Sequence, residues 1–129
     1  MIDLPVTPST AFTADTFVKF SSGKLVPCVA GDGDAATQIV GVIRKTIVST
    51  DSDYASDRLV PIEVPVEKHV EYTIDVGTGT IAATDQGTEF DLAGAGTIDQ
   101  SATTDKIAKL IKYMSSTKGV FWVKMNGSY

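Results

Sequence analysis

The sequence predicts a mainly β protein: a compact antiparallel β-barrel or sandwich of short strands, with an extended N-terminal arm and at most one short helix. Valine, isoleucine and threonine account for 40 of the 129 residues, whereas leucine contributes five. Because β-branched side chains are stiff at χ1, they fit a pleated strand better than a helix. Turn residues separate the apolar runs along the chain. The length suits an arm over residues 1–10 followed by a single β-rich domain over residues 11–129.

The first ten residues predict the arm. Pro5 and Pro8 each fix φ and lack a backbone donor, which disfavours both a helix and a central strand. Apolar residues alternate around them, at Ile2, Leu4 and Val6. Such a segment can be loose, packed on its own domain or laid on a neighbouring subunit. Our hypothesis is the third, with these five residues at the interface.

The next segments alternate strand signals and turn signals. Strands are predicted over residues 17–20, 24–29 and 38–43, and the last of these continues to residue 48. Pro27 favours a sheet edge or a bulge for the second strand. Gly41 in the third indicates a bulge or a close approach of another backbone segment.

The middle of the chain predicts one long strand. A polar loop over residues 49–57 leads into an extended stretch over residues 58–65. Residues 66–76 then alternate apolar and acidic side chains, which is typical of a half-buried strand. No segment recurs at a fixed period, so neither a solenoid nor a propeller is expected.

Residues 106–114 fit two interpretations. Four of their apolar residues have the i, i+3, i+4, i+7 spacing of an amphipathic helix. The alternative is a strand, a turn over residues 115–119 and a second strand over residues 120–125. The all-β context and the shortness of the segment favour the hairpin. Its second strand carries Phe121 and Trp122, which we expect at an interface.

Charge is distributed unevenly along the chain. The formal net charge is −5, which disfavours a phosphate backbone, so no nucleic-acid partner is expected. Seven acidic residues and no basic one lie between Glu71 and Asp105, and five lysines and no acid follow from Lys106. The two stretches either pair within the fold or give head-to-tail complementarity between copies.

Little in the sequence predicts catalysis or a bound metal. One histidine, His69, and one cysteine, Cys28, exclude a disulfide framework and a His/Cys zinc site within one chain. We expect His69 on the surface and Cys28 in the core. The alternating aspartates at residues 32–34 and 51–53 have a spacing used for calcium, but such pairs more often end strands. We therefore expect no enzyme activity, no cofactor and no metal.

Membrane association is not expected either. No apolar run is long enough for a spanning helix, and the N-terminus has no basic start of a signal peptide.

Three segments carry a resemblance to a known group of proteins. The first is the strand–turn–strand opening over residues 14–27. The second is Val40-Gly41-Val42 after an acidic glycine loop, and the third is Gln86-Gly87-Thr88-Glu89-Phe90-Asp91-Leu92. This pattern, spread over residues 11–125, resembles the small capsid decoration (cement) proteins of tailed bacteriophages.

The resemblance implies a structural role. Proteins of this group look like compact β modules, often trimers, that sit on the outer capsid surface and bridge capsid subunits. The expected partners are the major capsid protein and further copies of the chain, and the expected location is the virion surface after synthesis in the host cytoplasm. The alternative is a virion-surface β module for adhesion, or a head-fibre base. Tyr54, Trp122 or Tyr129 would then stack on a glycan or receptor.

Overall fold

The computed structural model describes residues 1–33, 37–65 and 69–125 of the chain. The fold is mainly β, as predicted, and the strands of this described part form two closed barrels of five strands each. The first barrel consists of β1 (Ile2–Val6), β2 (Thr16–Ser21), β3 (Lys24–Pro27), β4 (Gly41–Ile43) and β5 (Arg58–Glu63).

The second barrel follows directly. Its strands are β6 (His69–Thr78), β7 (Glu89–Gly94), β8 (Thr97–Asp99), β9 (Ala108–Ser115) and β10 (Lys118–Lys124), with a short 3-10 helix at Ala83–Asp85. The hairpin interpretation of the C-terminal segment is confirmed, because β9 and β10 pair antiparallel. The alternation predicted for β6 is also confirmed, since Ile74 and Val76 are buried while Glu71 and Asp75 are exposed.

The two barrels have the same topology. Neighbouring strands follow the order β1-β3-β2-β4-β5 in the first and β6-β8-β7-β9-β10 in the second. In each barrel the first and third strands form the parallel pair, and the other neighbours are antiparallel. Each strand of one barrel therefore has a counterpart in the other, a repetition that the sequence does not show as a fixed period.

The registers and loop hydrogen bonds identify the residues at matching positions. The N–H of Asp15 donates to the carbonyl of Ile43 at 2.7 Å, and the N–H of Gly87 donates to the carbonyl of Leu110 at the same 2.7 Å. The matching pairs that matter below are Ile2 with Tyr72, Phe20 with Leu92, Phe17 with Glu89, Val42 with Lys109, Glu63 with Trp122, and Lys19 with Asp91.

The two cores meet at a junction between the barrels. The first barrel has a core of its own, built around Leu25, Ile43 and Ile62. The core of the second barrel also takes in four residues from the first half of the chain, and we call it the shared core. These four residues are Phe17, Cys28, Ile39 and Val42. Burying a large apolar side chain stabilises a fold by about 1.5–3 kcal/mol, so the junction holds the barrels together.

The N-terminal segment differs from the expected arm. Residues 2–6 are extended, as predicted, but they form β1 inside the first barrel and pair with β5 at five consecutive positions. β1 meets β3 at one position only, Val6 with Leu25. On the side of β1 that faces β3, Pro5 has no paired neighbour. Its missing N–H therefore costs no hydrogen bond between strands, which is why a proline is tolerated there.

The predicted strand over residues 38–48 is shorter than expected. β4 ends at Ile43, and Ile47 pairs instead with Phe12 in an isolated bridge. The close backbone approach predicted at Gly41 is confirmed: a Cβ at this position would collide with the carbonyl oxygen of Glu63.

No helix in the described part of the chain has the length and apolar character needed to cross a membrane.

Candidate functional site

The structure divides the seven predicted interface residues between surface and core. Ile2 and Trp122 expose 53% and 44% of their surface, and Leu4, Pro5 and Pro8 are half-buried. Val6 and Phe121 are core residues, so the prediction that they contact a partner is corrected. Side chains alternate between the two faces of a strand, and Val6 and Phe121 are on the face that points into their barrels.

Phe20 joins Ile2 at one end of the first barrel. Both side chains are on the inward-facing side of their strands, yet Ile2 exposes 53% and Phe20 49% of its surface. Met1, beside them, is also exposed. We call Ile2 and Phe20 the exposed end of the first barrel. The sequence predicts Phe20 as part of a strand and gives no sign that it is exposed.

The matching end of the second barrel is covered. Its residues are Tyr72 and Leu92, and Leu92 exposes 1% of its surface. The ring of Phe17 packs edge-on against that of Tyr72, with 5.4 Å between the centroids and 77° between the planes. The backbone supports this contact, because the N–H of Phe17 donates to the carbonyl of Ala95 at 2.7 Å and that of Gly31 to Leu92 at 3.1 Å.

Polar anchors hold the segment that precedes the fourth strand of each barrel. In the first barrel, Lys19 forms an ion pair of 2.7 Å with Asp32, which is buried and also accepts the N–H of Val29 at 2.7 Å. In the second barrel, Asp91 matches Lys19, is itself buried and holds the corresponding segment directly. Its carboxylate accepts three backbone N–H groups, from Thr104 at 3.2 Å, Asp105 at 2.8 Å and Lys106 at 2.9 Å.

Trp122 dominates one outer face of the second barrel. It lines a cleft of about 240 Å³ together with Glu89, Ile107, Lys109 and Lys124. Lys124 lies 3.5 Å from Glu89 in an ion pair. We call Glu89, Lys109, Trp122 and Lys124 the Trp122 face. By register, the Trp122 face corresponds to the positions of Phe17, Val42 and Glu63 on the first barrel. Those three residues form the face of the first barrel that covers the second barrel.

A second exposed apolar surface lies on the β1–β5 pair. Pro5 and Leu59 are cross-strand neighbours, and Leu59 exposes 63% of its surface. They border a cleft of about 320 Å³ that also includes Lys24 and Asp57, which form an ion pair of 2.5 Å. We call Pro5 and Leu59 the β1–β5 surface.

Comparisons of the chain with protein-family models, with curated proteins and with solved structures found no match.

Three of the residues with catalytic or metal-binding potential, Cys28, Asp51 and Asp53, make structural contacts. Burial raises the pKa of the Cys28 thiol to about 12, with a smaller contribution from the charge of Asp32, so the thiol is protonated at neutral pH. Asp51 accepts the N–H of Val48 at 3.0 Å, and Asp53 pairs with Arg58 at 2.5 Å. That ion pair lowers the pKa of Asp53.

Residues 1–33, 37–65 and 69–125 contain no cluster of three or more His, Cys, Asp or Glu side chains that could hold a metal ion. Asp34, Tyr129 and the side chain of His69, which the sequence predictions involve, lie outside the described part of the structure.

Lysines of the basic stretch pair with the acidic stretch inside the fold. Lys118 lies 3.6 Å from Asp75, and Lys124 lies 3.5 Å from Glu89. These exposed pairs support the first of the two interpretations of the charge pattern, although each contributes at most about 1 kcal/mol.

Proposed function

We propose that the chain is a structural virion protein that binds the outer surface of a phage capsid and stabilises it by bridging shell subunits. Its partners are the major capsid protein and further copies of itself, with a trimer favoured. The observation that carries the proposal is the concentration of exposed apolar side chains in the first half of the chain. Of the eight large apolar side chains exposed in the described residues, six belong to residues 1–63: Met1, Ile2, Phe20, Val29, Val48 and Leu59.

Barrel closure strengthens this argument. Every strand of a closed barrel has a neighbour on both sides, and only the part of β1 that does not meet β3 leaves backbone unpaired, so little strand edge remains for another protein to extend. Contacts therefore form mainly through outward side chains, and exposed apolar side chains are the ones that gain most from being covered. Weak contacts of this kind hold a protein firmly when many copies bind a regular lattice, because avidity multiplies them.

The segments that carry the resemblance fold in a way compatible with this role. Residues 14–27 contain the β2–β3 hairpin, and Val40-Gly41-Val42 leads into β4. Residues 86–92 lead into β7, which is the counterpart of β2 in the second barrel. Two of the three segments therefore occupy matching positions in the two barrels.

The β1–β5 surface is the part that we assign to the shell. Pro5 and Leu59 provide an apolar centre, and the Lys24–Asp57 pair provides a charged rim. An apolar centre with a polar rim is the usual composition of an interface between proteins. Deletion of residues 1–10 is not a clean test of this surface, because it removes β1 and opens the first barrel.

A binding experiment with point variants tests the proposal. Purified chain is added to shells that lack it, and the copies retained after sedimentation are counted. We expect wild-type chain to be retained and to raise the temperature at which the shells disrupt, and we expect Leu59→Glu to abolish retention. Met114→Glu, at an exposed apolar residue of the second barrel, is the matched control and should bind normally. Full retention of Leu59→Glu, or no retention of wild type, contradicts the proposal.

A further inference from the structure

The two barrels share a topology but differ in what covers their corresponding ends. In the second barrel, the end formed by Tyr72 and Leu92 packs against Phe17 and Val42 of the first barrel within the shared core. In the first barrel, the matching residues Ile2 and Phe20 are about half exposed, at 53% and 49%. The chain therefore carries one end of this type that it covers itself and one that it leaves open.

The covering face also has a counterpart without an occupant in the described structure. Phe17, Val42 and Glu63 form the face of the first barrel at the junction, and the matching positions of the second barrel are Glu89, Lys109 and Trp122. Trp122 is 44% exposed there and lines a cleft. Met114 is the other large exposed apolar residue described in the second barrel, and it lies near the end of β9, away from this face.

We propose that the Trp122 face of one copy covers the exposed end of the first barrel of a second copy, so that chains associate head to tail. This contact between copies has the same arrangement as the contact that joins the two barrels within one chain. The inference rests on the self-associating structural role proposed above, but it concerns a different surface from the one assigned to the shell.

The repeated barrel geometry favours a second copy as the occupant. Trp122 supplies a large aromatic anchor, the type of side chain that dominates interface energetics. With Glu89 and Lys109 it holds the positions at which Phe17, Val42 and Glu63 cover the matching end within one chain. A second copy presents the exposed end that corresponds to that covered end, and a contact between a face and an end is head to tail.

The contact joins two different surfaces, which has a structural consequence. Each added copy leaves one exposed end and one Trp122 face unused, so the assembly closes into a ring or extends as a chain. A trimer is compatible with the contact if the rotation between copies closes after three steps.

The first test measures the mass of the purified chain in solution without shells. Sedimentation velocity over a series of concentrations should show wild type above the monomer mass. Ile2→Glu/Phe20→Glu and Trp122→Glu should each weaken self-association by about tenfold or more, because each removes an anchor of the contact. Leu59→Glu and Met114→Glu, at exposed apolar residues elsewhere, are matched controls and should associate like wild type. Wild type that stays monomeric at every concentration overturns the proposal.

The second test mixes the two defective variants. Ile2→Glu/Phe20→Glu keeps an intact Trp122 face, and Trp122→Glu keeps an intact exposed end. An equimolar mixture should therefore form a dimer containing one copy of each, although neither associates alone. A head-to-head contact cannot be restored in this way, so the absence of the mixed dimer overturns head-to-tail docking. Ile2→Ser/Phe20→Ser serves as the partner variant where the glutamate pair does not fold, as judged by circular dichroism.

Tryptophan fluorescence gives an independent readout, because Trp122 is the single tryptophan of the chain. Its emission should shift to shorter wavelength as wild type associates. Ile2→Glu/Phe20→Glu retains Trp122 but should show no shift over the same concentrations. An equal shift in this variant overturns the proposal. Shell binding is absent from all three tests, so their failure is distinguishable from failure of the capsid role, which Leu59→Glu reports.

Discussion

The thiol of Cys28 lies in the shared core, and burial raises its pKa from the ordinary value of 9.0 to about 12. In the unfolded chain this thiol ionises above about pH 9, while in the folded chain it stays protonated until about pH 12. The unfolded state therefore loses its proton first as pH rises. Stability that depends on Cys28 is fully present below pH 9 and declines between about pH 9 and pH 12.

A variant isolates this pH dependence. Cys28→Ala should be less stable than wild type at about pH 8, because it leaves a small cavity, and the difference should shrink by about pH 11. Urea unfolding of both proteins at the two pH values measures the difference. Lysine and tyrosine ionisation affects both proteins alike and cancels. A difference that stays constant with pH contradicts a buried, protonated thiol.

Gly41 is a second residue whose role depends on its surroundings. The missing side chain lets β4 pass close to the Glu63 carbonyl, and a Cβ would collide with that backbone atom. We expect Gly41→Ala to lower the free energy of unfolding by about 1–3 kcal/mol, as measured by urea unfolding. At Gly94 a Cβ would meet only the Thr97 hydroxyl at 3.5 Å, an ordinary contact. Gly94→Ala is therefore the control and should stay within about 0.5 kcal/mol of wild type. Equal effects of the two substitutions would count against the close approach.

At the scale of single elements, Asp91 on β7 organises the segment before β9. Its buried carboxylate accepts three backbone N–H groups, and Asp91→Ala removes this acceptor from all three at once. We expect Asp91→Ala to lower the free energy of unfolding by at least about 2–3 kcal/mol, and to speed amide exchange at Thr104–Lys106.

The control for Asp91 is an exposed carboxylate of the same barrel. Asp75 pairs with Lys118 at 3.6 Å on the surface, so Asp75→Ala should cost less than about 1 kcal/mol. Comparable losses for the two variants, or unchanged exchange at the segment, would show that Asp91 is not its anchor.

Strand positions were predictable where the local signals agreed. β2, β3, β5 and the β9–β10 hairpin follow from alternation bounded by turn residues. Pro5 argues against a paired strand and so predicts an arm, but β1 pairs fully with β5 on one side, which the sequence does not show. The apolar Ile47 predicts that the strand after Gly41 continues, but Ile47 instead forms a non-local bridge with Phe12.

At the scale of the whole molecule, the repeated barrel was hidden because matching positions carry different chemistry. Lys19 and Asp91 both anchor a loop, one through an ion pair and the other by accepting N–H groups. The sequence predicts Ile2 and Trp122 at an interface, and the structure exposes about half of each side chain. Phe20 and Leu59 were missed because a strand pattern does not reveal which end of a barrel stays uncovered.

The shared core predicts that the barrels depend on each other. Phe17 belongs to β2, yet it packs in the core of the second barrel. We expect Phe17→Ala to lower the free energy of unfolding by about 3–5 kcal/mol and to reduce amide protection in β6 and β10. Phe20→Ala, on the same strand but half exposed, should have a much smaller effect and leave β6 protected. Loss of protection confined to β1–β5 in Phe17→Ala would contradict a shared core.

The copy number of the chain in purified virus particles tests the proposed function most directly. Quantitative mass spectrometry can compare this chain with the major shell protein in the same sample. The account predicts about one copy per shell subunit, because decoration of a lattice follows the lattice. A few dozen copies or fewer would indicate a fibre or adhesion protein instead, and absence from particles would contradict the structural role altogether.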